Sequence, residues 1–262
     1  PTDVSDSLIP LGWIERAKAR WEQTIKNLHN HHGPECCLGV DVARFGTDHT
    51  VFYHGFRNHY WADLDRQGQD LMETAGHIKR RTDDGIPSTQ VRVDDTGLGG
   101  GVTDRLREQR CRVTAINFGS KAKDEEHFQN ARTEMYFNLR ERFRLGEIAI
   151  DPNDRELVRD LSVIKMKQLS NGQVKIEDKA EQKRKLGYSP DRADALALAA
   201  LPQGLALDLE TGSIPARGLL EFYQSMTEAK EKAEAKGGKR EPVAARPASE
   251  IPGSDVLLGG RA

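Results

Sequence analysis

The chain has 262 residues, of which 37% are hydrophobic and 31% charged, and its net charge is -2. That length allows one large domain or one domain with appendages, and the near-neutral balance advertises no nucleic-acid partner, so any such partner must be argued from local charge. No apolar run approaches the roughly 18 residues of a membrane span, and no signal peptide is legible.

Cys36, Cys37 and Cys111 are odd in number and lack metal-ligand spacing; they read as reduced thiols of an intracellular protein. A start at Pro1 rather than Met reads as a piece of something longer. Residues 10–30 place Trp13, Ile14, Ala17, Trp21, Ile25 and Leu28 at helical spacing, which predicts an amphipathic helix. The following "HNHHGPE" is a break, and its His29, His31 and His32 read as a polar connector, with no acidic or Cys partner at ligand spacing.

Strand signals fall at 36–43, 50–56 and 59–64, separated by short turns, and predict an antiparallel meander. A helix follows at about 68–81, then a short strand "QVRVDD" at 90–95, a glycine-rich turn and the helix "GVTDRLREQ". A strand at 112–117 and a longer helix at 130–145 come next. Residues 161–178 read as a hairpin, because Asn171-Gly172 between alternating runs is a strong turn signal. "SPDRADALALAAL" is the last regular element, with Ser189 to cap it and Pro190 suited to its first turn. Beyond 205 the Ala-, Lys-, Glu- and Pro-rich composition predicts a tail with one charged helix at 218–236 and disorder thereafter.

Asp41 is a carboxylate inside an apolar strand, flanked by Leu38, Val40 and Val42, and burying it is expensive unless a cation compensates. Asp94 and Asp95 end the next strand, and alternation alone does not choose between them. Asp191 and Asp194 lie three apart on the last helix and share a face. Carboxylates on two strands and one helix suit two-metal phosphodiester hydrolysis, with magnesium or manganese as hard cations held by oxygen. Taken singly, each has a structural reading: Asp191 favouring the positive end of its helix, Asp94-Asp95 as turn chemistry before Thr96-Gly97.

Jointly, "LGVDVARFGTDHT", "VDDTGLGGGVTDRL" and "KRKLGYSPDRADALALA" resemble the nuclease domain of phage terminase large subunits, over about residues 10–202. The resemblance implies an α/β, RNase H-like fold: a mixed central sheet, antiparallel meander plus parallel strands, flanked by helices, with a β-hairpin beside the active site. It implies three regions: 1–33 as the helix and linker from an ATPase domain, 34–205 as the nuclease, and 206–262 as a charged tail. It further implies two magnesium or manganese ions held by Asp41, Asp94, Asp191 and Asp194, with Asp95 and Asp48 in reserve. The activity implied is endonucleolytic cutting of concatemeric viral DNA in the host cytoplasm. Double-stranded DNA would be the substrate, and the portal and small terminase subunit the partners of the full-length protein. No Walker A sequence G-x-x-x-x-G-K-[ST] is present, so ATP hydrolysis is not expected.

Residues 159–185 hold eight Lys or Arg against four acids. This local excess beside an acidic site is where a phosphate backbone could lie, on Lys165, Lys167, Lys175, Lys183, Arg184 and Lys185. Few aromatic residues are interleaved, which favours duplex over stacked single strands. Three other readings compete: a resolvase or transposase of the same fold, an actin- or sugar-kinase-like ATP-binding domain echoed by "DVARFGTDHT", and a structural module docking through its tail.

Overall fold

Strands β1 (Cys36–Asp41), β2 (His49–Phe56) and β3 (His59–Gln67) form the expected antiparallel meander in the computed structural model, which describes residues 7–21, 33–43 and 48–211. On the β1 side the sheet continues through β4 (Val91–Asp94) and β5 (Thr114–Ile116), both parallel to β1. A two-residue strand, β6 (Ala149–Ile150), lies parallel to β3 at the opposite edge, so the order is β5-β4-β1-β2-β3-β6. The mixed sheet and its flanking helices are an RNase H-like arrangement.

Alternation along β1 decides what each face meets. Leu38 and Val40 join Val91, Val93, Ala75, Ile78, Val102 and Leu106 in one buried cluster. Helices α2 (Leu71–Asp83) and α3 (Gly99–Glu108) cover that face. Removing each such aliphatic side chain from water contributes about 1.5–3 kcal/mol. The other face of β1 presents Gly39 and Asp41 to α7 (Asp191–Ala199). A Cβ on Gly39 would lie 2.2 Å from the Ala195 carbonyl oxygen and 2.3 Å from the Ala199 nitrogen. Only glycine therefore permits this approach, and the Ala-rich sequence of α7 supplies the matching smooth surface. α4 (Ala131–Leu145) and α5 (Arg155–Val163) pack against α7, and α1 (Leu11–Trp21) against β6 and α4.

Local chemistry places the helix ends. Asp70 and Glu73 form a capping box on α2. Asn130 caps α4 by accepting from the Thr133 N–H at 2.9 Å, and Gly146, at φ 79°, ends it in the left-handed conformation.

Several boundaries differ from expectation. α1 stops at Trp21 in the described chain, and His29, His31 and His32 lie outside the described residues. The hairpin does not begin at 161: that residue belongs to α5, which Asp154 caps through the Leu157 N–H at 2.9 Å. A short apolar run such as Leu161–Ile164 fits helix or strand equally, and the cap seven residues upstream decides it. The paired hairpin is therefore β7 (Met166–Gln168) and β8 (Val174–Ile176), turning at Asn171-Gly172 with Gly172 at φ 88°. Helices α6 (Lys179–Leu186) and α8 (Gln203–Thr211), like β6, were not anticipated; α8 packs on β5. The helix expected at 218–236 lies outside the described residues. Cys36, Cys37 and Cys111 are free thiols, and no helix among the described residues is long and apolar enough to cross a membrane.

Candidate active site

Parallel pairing sets Val40 opposite Val93, so the next residues, Asp41 and Asp94, end adjacent strands at the same level and on the α7 side of the sheet. Adjacent strands stand about 4.8 Å apart. The alternation that left Asp94 and Asp95 equivalent is thereby resolved: Asp95 follows the strand and accepts a hydrogen bond from the Thr103 hydroxyl at 2.6 Å, tying it to α3. Gly99 makes this tight exit possible, since a Cβ there would fall 1.7 Å from the Asp94 carbonyl oxygen.

The close seat of α7 on Gly39 brings Asp191 and Asp194 over the same sheet end. Asp41, Asp94, Asp191 and Asp194 are all buried, with exposures of 2%, 7%, 5% and 0%. Among them stands Lys179, the first residue of α6. Its ammonium lies 2.7 Å from Asp41 Oδ2, 3.0 Å from Asp191 Oδ1 and 3.2 Å from Asp194 Oδ2. The Asp41 contact is a hydrogen bond. Asp41 Oδ1, Asp191 Oδ1 and Asp194 Oδ2 are buried oxygens without a hydrogen-bond donor.

The remaining contacts fix individual carboxylates. Asp194 Oδ1 accepts from Arg132 Nε at 3.0 Å and from the Tyr136 hydroxyl at 2.8 Å, both on α4. Arg132 is itself held by the Glu177 carbonyl at 3.0 Å and by Gln182 Oε1 at 3.2 Å, which links α4 to the hairpin and α6. Asp191 Oδ2 accepts the His49 backbone N–H at 3.0 Å. Asp94 Oδ1 accepts the Thr96 N–H at 2.9 Å. Behind α7, Arg192 reaches Asp154 at 2.6 Å and Asp65 at 2.7 Å, while its N–H is capped by Asp160 at 3.2 Å. These bonds anchor the first turn of α7 and with it Asp191.

The electrostatics are those of crowded acids around one cation. Burial pushes the Asp41 carboxyl well above the usual range, and Asp191, Asp194 and Asp94 add to the push against the pull of Lys179. Burial also raises Asp94. For Asp194 burial acts in the same sense, yet Arg132, Lys179 and the Tyr136 hydroxyl overcome it and hold the carboxyl low. Lys179 is disfavoured by burial but is held well above the usual lysine range by Asp41, Asp194 and Asp191.

The donor set fits hard divalent cations: all oxygen, mostly anionic, with three buried oxygens lacking donors. Among the described residues no group of three or more His, Cys, Asp or Glu stands at metal-holding spacing. The reason is visible in the distances. Lys179 keeps its three carboxylates at 2.7–3.2 Å, whereas magnesium requires about 2.0–2.1 Å.

Asp48, held in reserve by the sequence reading, pairs instead with Lys183 at 2.7 Å. Most hairpin cations are likewise engaged. Lys167 lies 3.3 Å from Glu181, Lys175 lies 2.8 Å from Asp178, and Lys185 lies 2.9 Å from Glu181. Lys165 and Arg184 are exposed and have no acidic partner among the described residues. Most of these cations thus have acidic partners, Lys183 and Lys179 with acids outside 159–185, which a residue count cannot register. Arg132 and Tyr136 were not singled out from sequence, and Lys179 was counted only as one more basic residue of that segment.

No protein-family model matches the chain, and no curated protein matches it. Among solved structures, the nuclease domain of the large terminase subunit gp2 of bacterial virus Sf6 superposes with a TM-score of 0.61 at 20% identity, covering 75% of this chain and 99% of that one. The chain shares the fold of that domain. A K428A mutant of the same Sf6 domain with calcium gives a TM-score of 0.60 at 19% identity, with the same 75% and 99% coverage. The K428A mutant with manganese gives 0.57 at 20% identity, again over 75% and 99%. Within this terminase-nuclease fold, the four aspartates occupy the ends of β1 and β4 and the first turn of α7.

Proposed function

We propose that this chain is a metal-dependent endodeoxyribonuclease that hydrolyses phosphodiester bonds with two divalent ions held by Asp41, Asp94, Asp191 and Asp194. The observation that carries the reading is a buried group of acids gathered around one ammonium, in which three carboxylate oxygens have no hydrogen-bond donor. Acids so arranged are expensive without cations. The terminase-nuclease fold supports the same reading, as do the Sf6 domains described with manganese and with calcium.

When bound, magnesium or manganese would activate water and neutralise charge on the scissile phosphate. The chain's own residues do the rest. Asp41 and Asp94, fixed on adjacent strands, provide the sheet side of the site, while Asp191 and Asp194 provide the helix side. Arg132 and Tyr136 orient Asp194 and keep it ionised. The His49 N–H and the Arg192 clamp orient Asp191. Lys179 offsets part of the acids' charge, and a divalent ion held by the same oxygens would compete with its ammonium for them.

On this reading residues 34–205 carry the nuclease, 1–33 join it to an ATPase domain, and 206–262 form a charged appendage. The substrate is concatemeric duplex DNA cut in the host cytoplasm. The portal and small terminase subunit engage the full-length protein, and this chain hydrolyses no ATP. The test is supercoiled plasmid incubated with manganese or magnesium, with EDTA as control. Nicking and linearisation that Asp41→Asn abolishes, with unchanged circular dichroism, support the reading; metal-independent cutting or an active Asp41→Asn protein would refute it.

A further inference from the structure

Lys167, Lys175, Lys183 and Lys185, four of the six cations expected to meet phosphate, already have acidic partners. The same end of the sheet offers another place. β3 aligns Asp65 with Val51, which is itself opposite Asp41, so Asp65 stands two strands, roughly 10 Å, from Asp41. Asp65 reaches Arg192 at 2.7 Å, on the α7 side. The next residue, Arg66, alternates to the α2 side.

There a cavity of about 450 Å³ opens between the end of β3 and the first turns of α2. Arg66, Arg80, His77, Glu73 and Gln69 line it. Neither Arg66 nor Arg80 has an acidic partner among the described residues, and the Arg80 guanidinium stands 2.7 Å from the His77 ring nitrogen. Glu73 is the one acid in the lining, and it is engaged in the α2 capping box. His77 registers the local positive field: burial lowers it first, then Arg80, Arg81 and Arg66. Gln69 is only 6% exposed, yet its Oε1 has no hydrogen-bond partner. A half-turn of that amide would put its N–H groups where the unpartnered oxygen stands.

Two guanidinium groups and a buried amide lining one open notch match a phosphate group, which takes several N–H donors at once. We propose that the notch formed by Arg66, Arg80 and Gln69 binds a backbone phosphate of the nucleic acid cut at the acidic site. The proposal rests on the nuclease reading for the identity of its ligand. Because phosphate is also carried by free nucleotides, the test separates the two sources.

Binding of a labelled DNA duplex is measured by fluorescence anisotropy in EDTA, where no cutting occurs, across a range of salt. The wild type is compared with Arg66→Ala/Arg80→Ala and with Arg107→Ala/Arg112→Ala, which removes the same charge from exposed positions at the opposite end of the sheet. The first variant is expected to lose about threefold to tenfold in affinity and to flatten the salt slope by about 1–2, and the control to change neither. Equal behaviour of all three proteins overturns the proposal. So does ATP binding that only the Arg66→Ala/Arg80→Ala variant loses while its duplex slope is unaltered, since the phosphate is then a free nucleotide's. A wild type that binds duplex in this manner yet never cuts with manganese sinks the nuclease reading and leaves the phosphate notch standing.

Discussion

Replacing Lys179 with methionine keeps the stem and removes the charge that three buried carboxylates share. At an effective dielectric of about 20, each contact of the 2.7–3.2 Å length seen here is attractive by on the order of 5 kcal/mol. Desolvation offsets most of that, and deleting one member of a buried ionic group typically costs about 3–5 kcal/mol. For a domain of this size each kcal/mol is worth about 2–4 °C. Lys179→Met should therefore melt about 6–20 °C below the wild type in EDTA. The deficit should grow as pH rises, because Asp41 already has a raised carboxyl and without the ammonium escapes repulsion only by holding a proton. Manganese should then stabilise the variant more than the wild type, since no ammonium has to be displaced; a ligand at a hundred times its Kd adds about 2.7 kcal/mol. Differential scanning fluorimetry with EDTA and with a manganese series measures both effects. Equal melting in EDTA together with equal manganese shifts would refute the assignment of Lys179 to the cation's place.

Gly39→Ala should force α7 off the sheet, because the new methyl meets backbone atoms at 2.2 and 2.3 Å; urea midpoints should show a loss of about 1–3 kcal/mol, and nuclease activity should fall with it. Arg132→Met should leave Asp194 without its principal cation, costing about 3–5 kcal/mol in the same assay, with Arg132→Lys recovering only part because it cannot span Asp194, Glu177 and Gln182 at once. Glu134 is raised by burial to about 7, above its unfolded value, so the folded state holds this proton more tightly and stability drains away as pH climbs from about 4.5 to 7. Glu134→Gln should remove that decline, on the order of 3 kcal/mol, which urea titrations at pH 5 and pH 8 would show; parallel pH profiles for the two proteins would contradict the argument.

The nearest-neighbour pattern carried a good deal of this. Alternation around Leu38 and Val40, the Asn171-Gly172 turn and the Ala-rich helix after Pro190 are statements about adjacent residues, and the meander, the hairpin turn and α7 follow from them. The four aspartates were legible for the same reason: a carboxylate at the end of an apolar strand or in the first turn of a helix is conspicuous in the local sequence. What lay beyond reach was every decision made between residues distant along the chain. Asp94 separates from Asp95 only through the pairing of Val40 with Val93, and Lys179 becomes the partner of Asp41 across 138 positions. The same long-range pairing gives most of the cations at 159–185 an acidic partner, Lys183 as far away as Asp48, because charge can be counted from composition but is offset only where side chains meet.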